Sequence, residues 1–228
     1  MRSLKKTLEH TIEMNRKSID CNREKEEFEQ SHGKLRETFE GTINALALMV
    51  EMRDPYTADH QLRVSRLADS IATELDLSEE QILGIHMASL VHDVGKINVP
   101  VEILSKSGKL TDYEFNLIKF HPQKGYDILK NIDFPWPIAR FVLQHHERME
   151  GSGYPQGLKG EEILSGARII GVADVVEAMV SHRPYRPALG AEKALEEISQ
   201  NRGVLYDSQV VDACLKLFTE KEFTFNGE

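Results

Sequence analysis

Histidine and aspartate recur along this chain in an order suited to holding metal: His60, then His92 beside Asp93, His121, His145 beside His146, and finally Asp174. Imidazole nitrogens and carboxylate oxygens together suit borderline and hard divalent ions such as Fe, Mn, Zn or Co. Seven such groups exceed what one ion with an open position needs, so two adjacent ions are the economical reading. Ions paired about 3.5–4 Å apart are a standard apparatus for in-line cleavage of phosphate esters, which makes the chain a candidate phosphohydrolase.

Adjacent His92 and Asp93 project about 100° apart on a helix, so both reach one site only where the helix ends and the chain turns. Gly95 offers that turn, and Asp93 can then give one oxygen to each of two ions while His92 binds one of them. Taken alone, the pair reads better as a helix-end histidine with a solvated aspartate, and it is the rest of the series that reverses this. His145 follows Ile138, Phe141 and Val142 at helical spacing and so faces inward, while His146 leaves that face. A lone inward histidine is usually a hydrogen-bonded core residue. Two in succession beside a glycine-rich loop are better explained as ligands. Asp174 stands among Ile169, Ile170, Val172, Ala173, Val175 and Val176, where a carboxylate is costly unless metal-bound or paired with a neighbouring arginine. Lys96, three residues beyond Asp93, is within reach of a phosphate oxygen, or is an exposed helix-end lysine. The segment Gly151–Gly160 contains Tyr154-Pro155 and glycines able to take positive φ close to a ligand, or forms a plain long turn. Arg183 and Arg186 lie in a proline-stiffened segment, as phosphate forks or as surface ion pairs.

The runs Arg53-Asp-Pro-Tyr-Thr-Ala-Asp-His60, His92-Asp-Val-Gly-Lys96 and His145-His-Glu-Arg-Met-Glu-Gly-Ser-Gly-Tyr-Pro155 resemble the HD-GYP branch of the HD-domain phosphohydrolases. So do Gly166-Ala-Arg-Ile-Ile-Gly-Val-Ala-Asp174 and Arg183-Pro-Tyr-Arg-Pro187, and the resemblance spans roughly residues 42–218. It implies hydrolysis of cyclic di-GMP to linear pGpG, with further cleavage to GMP left open, using two divalent ions, Fe or Mn by preference. It groups His60, His92, Asp93 and Asp174 around one ion and Asp93, His121, His145 and His146 around the other. His92, Asp93 and Lys96 become catalytic, and Lys96, Tyr154, Arg183 and Arg186 substrate-binding. His60 and His121, which alone would be ordinary surface histidines, gain their metal role only from this match. The Gly151–Gly160 loop becomes a site wall and a docking surface for diguanylate cyclase (GGDEF) domains. Tyr56 replaces the glutamate that trimetal members carry four residues before the first histidine, so two metals are predicted. Asp59 stands where many relatives have glycine, and Met149-Glu150 where they have an aromatic residue and an aspartate. Two rivals stay open: a catalytically inactive cyclic di-GMP sensor, and an HD phosphohydrolase acting on another nucleotide.

The elements that must position these groups read as helices. The chain has 228 residues and 40% apolar content, enough for one sizeable domain and an extension. Residues 1–41 read as an N-terminal helix that could pair two copies, and 42–222 as an all-α HD-domain bundle. Helices are expected over Thr42–Met52, His60–Leu75, Ser78 to about Asp93, Thr111 to His121, Pro137 to near His146, Ser165–Val180, Ala191–Gln200 and Ser208–Phe218. Ser78 with Gln81 and Thr111 with Glu114 form capping boxes. A net charge of −9 argues against nucleic acid or an acidic membrane surface as partner. With neither a signal core nor an apolar run long enough to span a bilayer, the expectation is cytoplasmic. Cys21 and Cys214, far apart, support neither a disulfide framework nor a thiolate site.

Overall fold

The computed structural model describes residues 23, 25, 30–31, 33–34, 37–50, 52–53, 59–106, 108–182 and 188–225. The chain divides into two units, Met1–Thr42 and Ile43–Glu228. The described residues of the first are all helical, and most of the predicted N-terminal helix lies outside the described residues, as do Tyr56, Arg183 and Arg186.

The second unit is all-α, with no strand among its described residues. Residues 43–50 are helical and bury Ile43, Ala47 and Val50. Among the described residues nine further helices follow: α1 His60–Glu74, α2 Glu79–Val91, α3 Val101–Leu104, α4 Asp112–Lys119, α5 His121–Leu129, α6 Ile138–Gln144, α7 Ser165–Val180, α8 Ala191–Gln200 and α9 Ser208–Glu220. A 3-10 turn, Val94–Asn98, links α2 to α3.

Helix α1 packs on α2, α7 and α9, and α6 packs on α2, α5 and α7. Val64, Leu67, Ala68 and Ile71 of α1 meet Ile85, Met87, Leu90 and Val91 of α2 and Ile169, Ile170, Val172 and Val176 of α7 in the core. Each fully buried Leu, Ile or Val contributes about 1.5–3 kcal/mol, so these three helices are the stable frame of the unit. Both expected capping boxes are present: Ser78 caps α2 with Gln81, and Thr111 caps α4 with Glu114.

Two expectations need correction. The helix opened by Thr111 stops at Lys119, and His121 begins a new one with Pro122 in its first turn, where the missing N–H costs nothing. Pro137 precedes α6 instead of occupying its first turn. Gly95 is needed for close approach and not for an unusual φ: a Cβ there would lie 1.9 Å from the His121 carbonyl oxygen and 2.5 Å from the Gly125 nitrogen. The turn that carries Asp93 thereby rests directly on α5.

Candidate metal centre

Each predicted ligand stands at a helix end or on a buried face. His60 opens α1, His92 closes α2, and Asp93 begins the 3-10 turn, so the adjacent pair sits where one helix type gives way to another. His121 opens α5, His145 and His146 follow the last turn of α6, and Asp174 lies midway along α7. Gly171 lets α7 approach α6 closely, because a Cβ there would lie 2.6 Å from the His145 carbonyl oxygen.

All seven side chains converge. His60 Nε2 lies 3.3 Å from Asp174 Oδ1 and 3.8 Å from Asp93 Oδ2, and His92 Nε2 lies 3.5 Å from Asp93 Oδ2 and 3.8 Å from Asp174 Oδ1. On the other side of Asp93, its Oδ1 is 3.2 Å from His121 Nε2, which is 3.3 Å from His145 Nε2. His60, His92 and Asp174 form one compact ligand triad, and His121, His145 and His146 another. Asp93 therefore turns one oxygen to each triad. The histidines of both are buried except His146, which is half-buried.

The opposite ring nitrogens explain the aim. His92, His121 and His145 each donate Nδ1–H to the carbonyl three residues earlier, Ser89 at 2.6 Å, Ile118 at 2.7 Å and Val142 at 2.7 Å. His60 Nδ1 is held by Glu177 Oε2, and Glu177 also accepts from Arg63 Nε at 2.7 Å and Ser181 Oγ at 2.6 Å. With Nδ1 protonated, each Nε2 turns a lone pair toward the others and toward the Asp93 and Asp174 oxygens. Facing lone pairs repel, and the buried His92 Nε2 has no hydrogen-bond partner. A divalent cation resolves both problems, so the donor set fits the metal that it implies.

Electrostatics agree. Burial drives the His145 imidazole down to about 3, with His92 and His121 adding to the effect, and it also lowers His92 and His146. Burial works against ionised Asp93 and Asp174, but Lys96 and His92 outweigh it at Asp93, and His60 and His92 at Asp174, holding both carboxyls well below their ordinary range. Glu177 falls to about 2, its burial outweighed by His60, Ser181 and Arg63. Near neutral pH the cluster thus presents uncharged imidazoles at His92, His145 and His146 beside anionic carboxylates, the protonation state that ligation requires.

Lys96 Nζ lies 2.6 Å from Asp93 Oδ2, at the edge of the cluster. The Tyr154 ring stacks on His146 with centroids 4.8 Å apart, so the loop residue supports the one histidine of the cluster that is only half-buried. The loop is itself tied down by buried Glu147, whose carboxylate accepts from Gln156 N at 2.7 Å and Leu158 N at 3.0 Å. Asp59 takes a φ of 61°, so it adopts the left-handed conformation that a glycine would supply there. Of the unassigned histidines, His86 pairs with Asp69 at 2.7 Å, away from the cluster. Cys214 is a buried free thiol that burial pushes up to about 12.

Sequence reasoning missed Glu177 and Glu147. Glu177 was detectable: it lies three residues beyond Asp174 in the same apolar run, so the two acids share a helix face. Glu147 carries no such signal, because its partners are backbone amides of a loop.

The chain is 45% identical over 177 residues to the cyclic di-GMP phosphodiesterase response regulator RpfG of Xanthomonas campestris pv. campestris, covering 77% of this chain and 47% of that protein. It is 44% identical over 184 residues to a cyclic di-GMP phosphodiesterase of Thermotoga maritima, covering 80% and 50% respectively. The chain thus spans about half the length of the curated relatives it matches. The crystal structure of a cyclic GMP-AMP specific phosphodiesterase of Vibrio cholerae (V-cGAP3) shares the fold, with a TM-score of 0.61 at 19% identity over 79% of this chain and 49% of that one. With the HD domain family model matching residues 44–210, the chain belongs to the HD domain family, in its HD-GYP branch.

Proposed function

We propose that this chain is a metal-dependent phosphodiesterase that hydrolyses cyclic di-GMP to linear pGpG at a dinuclear centre. One observation carries the reading: Asp93 stands between two triads of metal-ligating groups, Oδ1 toward His121 and Oδ2 toward His60 and His92. His60, His92, Asp93 and Asp174 would hold one ion, and Asp93, His121, His145 and His146 the other, Fe or Mn by preference. When bound, such ions supply Lewis acidity toward the phosphodiester and activate water at neutral pH.

The chain's own residues do the rest. The carbonyls of Ser89, Ile118 and Val142 fix the imidazole tautomers, so no reorganisation is needed when substrate arrives. Asp93 and Asp174 keep the cluster anionic, which favours cation binding over direct phosphate binding. Lys96 Nζ, at the edge of the cluster, stabilises negative charge growing on the phosphoryl oxygens. Hydrolysis adds water across one P–O3′ bond and releases the 3′ oxygen as a hydroxyl. Arg183 and Arg186 complete the phosphate contacts in this reading. Docking of diguanylate cyclase domains on the Gly151–Gly160 loop, pairing through the N-terminal helix and a cytoplasmic location belong to it as well. No helix among the described residues is long and apolar enough to cross a membrane.

The test is a substrate panel. Protein loaded with Mn or Fe is mixed with cyclic di-GMP, 3′3′-cyclic GMP-AMP and nucleoside phosphates, and products are resolved by chromatography. Turnover of cyclic di-GMP above the others is expected. Binding without turnover would establish a sensor instead, and preference for another nucleotide would reassign the substrate.

A further inference from the structure

Beyond the cluster, on the side of the Gly151–Gly160 loop, stands a group of residues that the metal centre does not use. Lys119, in the last turn of α4 and two residues before His121, places Nζ 4.8 Å from the Phe115 ring centroid and 5.5 Å from that of Tyr154. The Tyr154 ring in turn covers His146. The ammonium is therefore one aromatic ring outward from the second ligand triad. Among the described residues no carboxylate lies within salt-bridge distance of it. Helix α4 buries none of its residues, and Phe115 is 46% exposed, so that ring is not spent on the core.

A cation flanked by two aromatic faces gains only about 0.5–1 kcal/mol at an exposed site and keeps its charge available to an anion. The substrate class already proposed presents what such a group would recognise. A cyclic dinucleotide carries two phosphates and two purines, and with one phosphate at the cluster the opposite phosphate and a base must lie further out. On a chain of net charge −9, that second phosphate needs a local cation. A compact ammonium suits it, and an exposed ring offers a purine a stacking face.

From this juxtaposition we infer that Phe115 and Lys119 form an outer subsite of the cyclic-dinucleotide cleft, Lys119 binding the phosphate that is not cleaved and Phe115 stacking a purine. The inference rests on the function proposed above and adds two specificity-determining residues to it.

The experiment compares wild type, Lys119→Ala, Lys119→Arg, Phe115→Ala and Phe115→Tyr, all metal-loaded, on cyclic di-GMP and on bis(p-nitrophenyl) phosphate, a diester with neither purine nor second phosphate. Lys119→Ala and Phe115→Ala are expected to raise KM for cyclic di-GMP about tenfold, the scale of one lost stack or ion contact. Their kcat, metal content and rate on the small diester should stay within about twofold of wild type, and Lys119→Arg and Phe115→Tyr should recover most of the affinity. Unchanged KM in both alanine variants overturns the inference while wild-type turnover leaves the underlying reading intact. Equal losses on both diesters, with metal lost, also overturn it, because the residues then serve only to seat His121. A wild type that cleaves the small diester but neither binds nor cleaves any cyclic dinucleotide overturns the inference together with the reading beneath it.

Discussion

The two triads of the metal centre rest on different kinds of support. His60, His92 and Asp174 stand on α1, α2 and α7, whose other faces are the core, and His60 is gripped by a buried carboxylate that also binds Arg63 and Ser181. His121, His145 and His146 stand where short helices begin or end, and His146 is steadied by stacking on a loop tyrosine. The first triad is built into the stable frame, and the second takes part of its order from a surface loop through His146. Damage to the frame should thus cost metal and stability together, whereas damage to the loop should cost activity with little change in stability.

The largest effect is expected where the comparison collapses, at the shared residue. Asp93→Ala removes an oxygen from both triads and should lower kcat/KM on cyclic di-GMP more than about 10³-fold, with loss of bound metal measured by elemental analysis. Glu177→Gln leaves every ligand in place but weakens the grip on His60. It should cost about 10- to 100-fold in metal affinity or activity, the usual range for such outer partners, and lower Tm as Arg63 loses its buried partner. Tyr154→Ala, on the loop side, should reduce kcat/KM by about tenfold while Tm moves little, because it removes the stack on His146 and the ring beside Lys119 and touches none of the frame. If Tyr154→Ala unfolded the protein as readily as Glu177→Gln, the contrast between the two triads would be wrong.

The smallest effects are expected on stability at the start of α4, which buries no residue. Thr111→Ala deletes its cap and should cost about 1 kcal/mol of stability in denaturant titration. Hydrogen bonds from Lys106 and then from Thr111 lower the Glu114 carboxyl from 4.5 to about 2. Because the folded value lies below the unfolded one, the stabilisation is present above pH 4.5 and is lost as pH falls toward 2. The Tm gap between wild type and Glu114→Gln should therefore narrow across that window.

Much of this was legible in the sequence because residue type and periodicity report directly on burial. Asp174 in an apolar helix announced a buried charge, the capping boxes fixed two helix starts, and Ser165–Val180 and Ala191–Gln200 are helical over the expected spans. The ligand series showed that these residues belong together, though not how they are aimed. Aim comes from the i−3 carbonyls behind His92, His121 and His145, and every helix offers such carbonyls. Close approach at Gly95 and Gly171 was hidden for a related reason, since it depends on which helices meet. Glu177 could have been read from its place in the same apolar run as Asp174, but its partner His60, on another helix, could not.

Metal stoichiometry tests the central claim most directly. Protein purified anaerobically, dialysed and titrated with Mn or Fe should bind two divalent ions per chain, and His92→Ala with Asp93→Ala should abolish tight binding at both positions. A wild type that retains no divalent ion, or a double variant that binds as many ions as wild type, would contradict the account.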